Sequence, residues 1–145
     1  MKMTYRIKSD RGLAKALRKL PPEMSREVAD VVQGHAQSLA TEMRSRVPVD
    51  TGALRESIRV RKAAKGLFAR VGSFATRKMI RQRGRSYVFY ARFIEFGFTN
   101  RAGRKVPARP FIFNAWRARR YNVKIDILEK ARDVLRRNAA DGKMT

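Results

Sequence analysis

Cysteine is absent from this chain, and histidine occurs only once. The first absence excludes disulfide bonds, thiolate metal sites and cysteine nucleophiles, and the second excludes metal sites built from several histidines. No apolar run approaches the roughly 18 residues of a membrane span. The basic N-terminus lacks the apolar segment of a secretory signal, so the sequence predicts a soluble protein that works inside a cell.

Acidic residues are also scarce. The 145 residues include 35 lysines and arginines but only 12 aspartates and glutamates, which gives a formal net charge of +23. Hydrophobic residues still make up 43% of the chain, which is too many for a disordered basic tail. The length predicts a single domain over residues 1–145, with a core at about residues 4–138 and a frayed C-terminal tail after it.

The apolar pattern predicts an α+β fold. Apolar residues at three- and four-residue steps indicate two long helices, and alternation indicates short strands between them. The expected architecture is a long helix and a C-terminal helix packed on a small antiparallel β-sheet, with protruding basic loops. The predicted elements are a strand at 4–9, a short helix ending at Leu20, helices at 22–46, 52–58, 87–96 and 110 to about 138, and strands at 58–62 and 67–72.

Positive charge is concentrated in predicted loops. Residues 57–94 contain eleven bases and no acid. Such a one-sided run predicts contact with a polyanion or an acidic protein, and the alternative is a solvated surface that keeps the protein soluble. Binding to a phosphate backbone would depend on salt and not on base sequence. The predicted contact residues are Arg77, Lys78, Arg81, Arg83 and Arg85 in loop 74–86, and Arg101, Arg104 and Lys105 in loop 98–109.

Aromatic residues are interleaved with these bases. Stacking platforms for single-stranded nucleic acid have a similar composition. The spacing of Tyr90, Phe93 and Phe96 favours instead a helix that is buried in the core. The full aromatic set is Phe74, Tyr87, Phe89, Tyr90, Phe93, Phe96 and Phe98.

No recognised catalytic pattern is present. His35 lies on the apolar stripe of the first long helix, where a lone histidine is expected to be packed or hydrogen-bonded. Asp50, Glu56 and Glu95 could in principle hold Mg²⁺ in a nuclease. The first two also suit the start of a helix, and Glu95 could pair with an arginine such as Arg109. The sequence therefore predicts no enzymatic activity, no metal and no cofactor.

Three segments follow one another in a distinctive order. Residues 47–58 read VPVDTGALRESI, residues 90–97 read YARFIEFG and residues 107–111 read PARPF. Together they resemble the P-x-D-T-G-x-L-x-x-S-I, Y-A-x-x-x-E-F-G and P-A-R-P-F segments of long-tailed bacteriophage neck, or tail-completion, proteins. The resemblance extends over about residues 20–120.

The resemblance implies a small α+β subunit that does no chemistry. Such proteins form a ring, expected to be a hexamer, which joins tail to capsid and lines part of the genome channel. The implied partners are further copies of the chain, adjoining head-closure and tail-terminator or tail-tube proteins, and genomic DNA in the lumen, with no membrane. The implied location is the neck or tail of the virion, after assembly in the host cytoplasm, and loop 74–86 is the candidate for ring contacts. The alternatives are a free, sequence-nonspecific nucleic-acid-binding protein and a Mg²⁺-dependent nuclease.

The residues of the three segments are expected to set the shape of the subunit. Asp50 or Thr51 is expected to cap a short helix after a sharp turn at Gly52. Glu95 and Arg109 are expected to hold the second loop against the helix before it. The residues assigned such structural roles are Asp50, Thr51, Gly52, Leu54, Ile58, Tyr90, Glu95, Gly97, Pro107, Arg109, Pro110 and Phe111.

Overall fold

A computed structural model describes Lys15 and residues 19–48, 52–62, 67–74 and 87–141. Long helices and a small antiparallel sheet confirm the predicted α+β class. The predicted strand at 4–9, the body of the helix that ends at Leu20 and the hairpin turn at 63–66 lie outside the described residues. The elements are α1 (Pro22–Arg46), α2 (Ala53–Ser57), β1 (Ile58–Lys62), β2 (Ala69–Ser73), α3 (Tyr87–Phe96), β3 (Phe98–Thr99), β4 (Lys105–Val106) and α4 (Ile112–Ala140).

Helices α1 and α4 pack against each other along their lengths. Proline at N1 starts α1, and Val47 in extended conformation ends it, so the helix has its predicted bounds. Ion pairs join Glu27 to Arg137 at 2.7 Å and Glu42 to Arg119 at 3.3 Å. Because residue numbers rise along α1 as they fall along α4, the two helices run antiparallel.

His35 lies between these two ion pairs. Its Nε2 is 3.1 Å from the carboxylate of Asp126, and its side chain is largely covered. His35 is therefore a packed residue of the helix pair and not part of a reaction centre within the described residues. Gly34, the residue before it, is exposed, and an added Cβ would have no neighbour within 4 Å, so close packing does not explain this glycine.

The sheet of β1 and β2 lies against α1. The antiparallel register runs from Ile58 opposite Ser73 to Lys62 opposite Ala69, so β2 begins two residues later than predicted. Val60 and Val71 pack on the main core. The guanidinium group of Arg44 donates a hydrogen bond to the carbonyl oxygen of Ile58 at 2.6 Å, which ties β1 to α1.

A small hairpin, formed by β3 and β4, replaces the predicted loop 98–109. Phe98 lies opposite Val106, and Thr99 lies opposite Lys105. The Asn100 side chain accepts hydrogen bonds from the backbone amides of Ala102 and Arg104. Strands of two residues carry too little alternation to be read from a sequence.

The main core brings the three sequence segments together. Leu54 and Ile58 come from the first segment, Ala91 from the second and Phe111 from the third, and all four are buried in one cluster. A second, smaller cluster joins the start of α1 to the end of α4. Within the part of the chain that the structure describes, no helix is both long and apolar enough to cross a membrane.

Candidate functional site

The N-terminus of α4 has no cap of its own. Phe111 occupies the N-cap position without a side-chain cap hydrogen bond, and the first turn contains no acidic residue. The first backbone N–H groups of a helix have no partner within the helix. Phe111 and Ile112 are 0% and 1% exposed, so water cannot satisfy their amides. A partner from another part of the chain is required.

Glu95 of α3 supplies that partner. Its Oε2 accepts hydrogen bonds from the amides of Phe111 at 2.9 Å and Ile112 at 3.0 Å, and its Oε1 accepts one from Phe113 at 2.8 Å. The residue is only 2% exposed. A buried carboxylate is stabilised here because three donors and the positive end of the helix dipole converge on it. We call this arrangement the carboxylate cap.

Gly97 allows the next segment to approach the end of α3. Its φ of 71° lies in the left-handed region. A Cβ at this position would lie 2.7 Å from the carbonyl oxygen of Val106 and 2.8 Å from the amide nitrogen of Ala108. The amide of Arg109 also donates to the carbonyl oxygen of Ile94 at 2.7 Å. Both ends of the β3–β4 hairpin are therefore fixed to the last turn of α3.

The carboxylate cap corrects one expectation of the sequence analysis. Within the described ranges, Glu95 and Arg109 form no ion pair, and Glu95 holds the loop through backbone amides instead. Arg109 contributes through its own amide, while its side chain is exposed. The signal in the sequence is the combination of a lone acid in an apolar helix and a long helix with no local cap.

The other residues of the three segments occupy several positions. Gly52, with a φ of 75°, is the N-cap residue of α2, which begins at Ala53. Asp50 and Thr51, the predicted caps, lie outside the described residues. Tyr90 lies in α3. Pro107 is exposed and Pro110 partly buried between the hairpin and α4.

Two aromatic residues of α3 that were predicted to pack in the core lie at the surface. Phe96 is 62% exposed and Phe93 is 40% exposed. Beyond α3, Phe98 is 38% exposed and Phe74 is buried. The sequence of α3, YVFYARFIEF, places apolar residues on every side of the helix, and the side with Ala91 packs in the core. Two opposite faces of one helix cannot both be buried in so small a domain, so the prediction was wrong for Phe93 and Phe96.

These exposed side chains adjoin the β3–β4 hairpin. The rings of Phe93 and Phe98 are 5.1 Å apart, and Phe98 lies opposite Val106, which is also exposed. The hairpin carries exposed cations at its tip and on β4. We define the hairpin surface as Phe93, Phe96, Phe98, Val106, Arg101, Arg104 and Lys105.

The remaining candidate residues do not assemble into a reaction centre within the described ranges. Glu56 is exposed on α2, Glu95 is committed to the carboxylate cap, and Asp50 lies outside these ranges. No group of three or more metal-binding side chains occurs in the parts that the structure describes. Loop 75–86, with Arg77, Lys78, Arg81, Arg83 and Arg85, also lies outside them.

One comparison with known proteins gives a match. Residues 11–97, more than half of the chain, match the model of a protein family described as "Bacteriophage HK97-gp10, putative tail-component". The matched region contains the first two sequence segments, including Glu95 and Gly97, and ends before Pro107. No curated protein and no solved structure matches the chain.

Proposed function

The chain belongs to the HK97-gp10-like family of bacteriophage tail components, and on that basis we propose that it is a structural subunit of the head–tail connector. The family indicates a structural, tail-related role in the virion. In the proposal, copies of the chain form a ring, expected to be a hexamer, at the neck. The ring joins the tail to the capsid and surrounds the path of the genome. Its neighbours are head-closure proteins and tail-terminator or tail-tube proteins.

The hairpin surface is the observation that carries this proposal. Aromatic side chains are enriched in protein interfaces, where they bury large areas at a small cost in conformational entropy. Phe93, Phe96 and Phe98 expose such area at neighbouring positions of α3 and β3. An exposed cluster of this kind supports a contact with another protein.

The carboxylate cap prepares this surface for binding. Glu95 and Gly97 fix the base of the hairpin before any partner is present. A surface that is ordered in advance loses less conformational entropy when it binds. The cations Arg101, Arg104 and Lys105 add a preference for an acidic neighbour. In a ring, each subunit presents two different patches, and we assign the hairpin surface to one of them.

The first experiment measures assembly of the purified chain. Phe96→Ser removes the most exposed aromatic ring of the hairpin surface, and Tyr121→Ser removes a ring that is 71% exposed on α4 as a matched control. We expect native mass spectrometry to give one discrete ring for the unchanged chain and for the control. The Phe96 variant should shift towards monomer at the same concentration.

Two outcomes would contradict the proposal at different points. The connector assignment would be wrong if the unchanged chain stayed monomeric in solution and if electron microscopy and mass spectrometry did not find it in virions. If the Phe96→Ser variant formed the ring as well as the unchanged chain, the connector assignment would stand, but the hairpin surface would be excluded as the contact between subunits.

The net charge of +23 favours a second candidate, a free nucleic-acid-binding protein. This candidate requires a monomer that binds DNA with a steep dependence on salt. It would be supported if the chain bound DNA and were absent from virions. No measurable DNA binding at low salt would remove it.

A further inference from the structure

The two sides of the β1–β2 sheet differ in chemistry. Val60 and Val71 lie on the side that packs on the core. Because side chains alternate along a strand, the neighbouring arginines lie on the opposite side, and all of them are exposed. We define the arginine face as Arg59, Arg61 and Arg70.

Positive charge on the arginine face is not neutralised within the described residues. Arg61 lies directly opposite Arg70 in the strand register, so two like charges share one cross-strand position. Such pairs are unfavourable unless a counter-charge is close. Of the 12 acidic residues, only Asp10 and Asp50 lie outside the described ranges, and none of the others forms an ion pair with this face.

One guanidinium group of this face is positioned by an aromatic ring. The Cζ atom of Arg61 lies 4.2 Å from the centroid of the Phe74 ring. Phe74 is buried, and its amide continues the β1–β2 pairing by donating to the carbonyl oxygen of Ser57 at 2.8 Å. A stacked guanidinium group is held in place while its N–H edges stay free to donate to an anion.

The ligand that this face suits is a regular polyanion. Its strand residues expose no apolar side chain, and Phe68, just before β2, is a single exposed ring, whereas protein interfaces contain an apolar centre that is depleted of charge. Arg59 and Arg61 are two residues apart, about 6.8 Å along the strand. A DNA strand presents one phosphate about every 3.4 Å of helix axis, so each arginine can reach a separate phosphate.

We propose that the arginine face binds the phosphodiester backbone of double-stranded DNA without reading its sequence. The inference rests on the proposed function, because that function identifies the polyanion as the phage genome in the channel of the connector. It places DNA contact on the sheet, apart from the hairpin surface that is assigned to protein contact.

The experiment uses the full chain and a labelled duplex of mixed sequence, with fluorescence anisotropy between about 50 and 200 mM salt. Arg59→Gln, Arg61→Gln and Arg70→Gln are combined in one variant. The control combines Arg120→Gln, Arg132→Gln and Arg136→Gln, which removes the same charge from exposed positions on α4.

The arginine-face variant should weaken DNA binding about tenfold or more at low salt. The plot of log K against log salt should also become less steep, with a slope about 2.7 smaller in magnitude, since each lost phosphate contact removes about 0.9. The control variant should keep a slope close to that of the unchanged chain. Circular dichroism checks that both variants are folded. If the combined variant does not fold, Arg70→Gln alone replaces it, with an expected change of about 0.9 in the slope.

Three outcomes would overturn the inference. Equal weakening by both variants would assign binding to the overall charge. An unchanged slope in the arginine-face variant would exclude this face. If labelled polyglutamate bound as tightly as the DNA duplex, and if the arginine-face variant weakened both to the same extent, the face would be assigned to an acidic protein. Mass measurements on the same samples report ring formation separately, so either proposal can fail while the other stands.

Discussion

Replacing Glu95 with alanine tests the structural logic of the domain most directly. The substitution removes all three acceptors of the carboxylate cap and leaves the start of a 29-residue helix without a partner. The amides of Phe111 and Ile112 lie where water does not reach, whereas Phe113 is 36% exposed and its amide can be hydrated. Two buried donors would therefore be unsatisfied.

The expected loss of stability follows from those two donors. Each buried, unsatisfied donor costs about 1–3 kcal/mol, so Glu95→Ala should lower the free energy of unfolding by about 2–6 kcal/mol. Folded domains have only about 5–15 kcal/mol in total. Glu95→Gln keeps one acceptor but directs an amide group at N–H donors, so we expect an intermediate loss of about 1–3 kcal/mol.

Urea denaturation, followed by the fluorescence of Trp116, measures this effect. Trp116 is the single tryptophan and packs against the core cluster that contains Phe111. The matched control is Glu129→Ala, which removes an exposed carboxylate from α4 and should change stability by less than about 0.5 kcal/mol. The reasoning would be refuted if Glu95→Ala cost no more than this control.

Two further predictions concern Gly97 and Glu27. Gly97→Ala should lower the free energy of unfolding by about 1–3 kcal/mol, because φ at Gly97 is positive and the new Cβ would meet the backbone of Val106. The control, Gly34→Ala, lies in open space on α1 and should raise the free energy of unfolding by about 0.5–1 kcal/mol. Equal shifts of the urea midpoint in the two variants would contradict this prediction. Hydrogen bonding from Arg137 is the main cause that lowers the pKa of Glu27 from 4.5 to about 2, so the stability that this pair contributes is present above pH 4.5 and is lost as the pH falls towards 2. Glu27→Gln should reduce the slope of unfolding midpoint against pH in that window, and an unchanged slope would exclude Glu27 as its source.

The parts of the fold that sequence reasoning predicted well depend on local pattern. The bounds of α1 follow from Pro22 at its start and Pro48 after its end, together with an apolar stripe between them. The strand β1 and the helix α3 also match their predicted ranges. These elements are specified by residues that are close in the chain.

The parts that were missed depend on contacts between distant residues. The acceptor for α4 comes from Glu95, 16 positions before its first donor, and no local rule connects a glutamate in an apolar helix with that helix start. Periodicity identified α3 as a helix but could not choose which of its two apolar faces turns inward. The surface position of Phe96 was therefore decided by the packing of Ala91 on its other side.

The attachment of the β3–β4 hairpin has a mechanical consequence. One end of the hairpin leaves α3 at Gly97, and the other returns to the same turn through Arg109 and the carboxylate cap. The hairpin and the N-terminus of α4 are held by the same turn of α3, and α4 extends roughly 44 Å from that point. Towards its other end, α4 forms ion pairs with Glu27 of α1. We therefore expect a displacement of the hairpin to be passed to the paired helices α1 and α4.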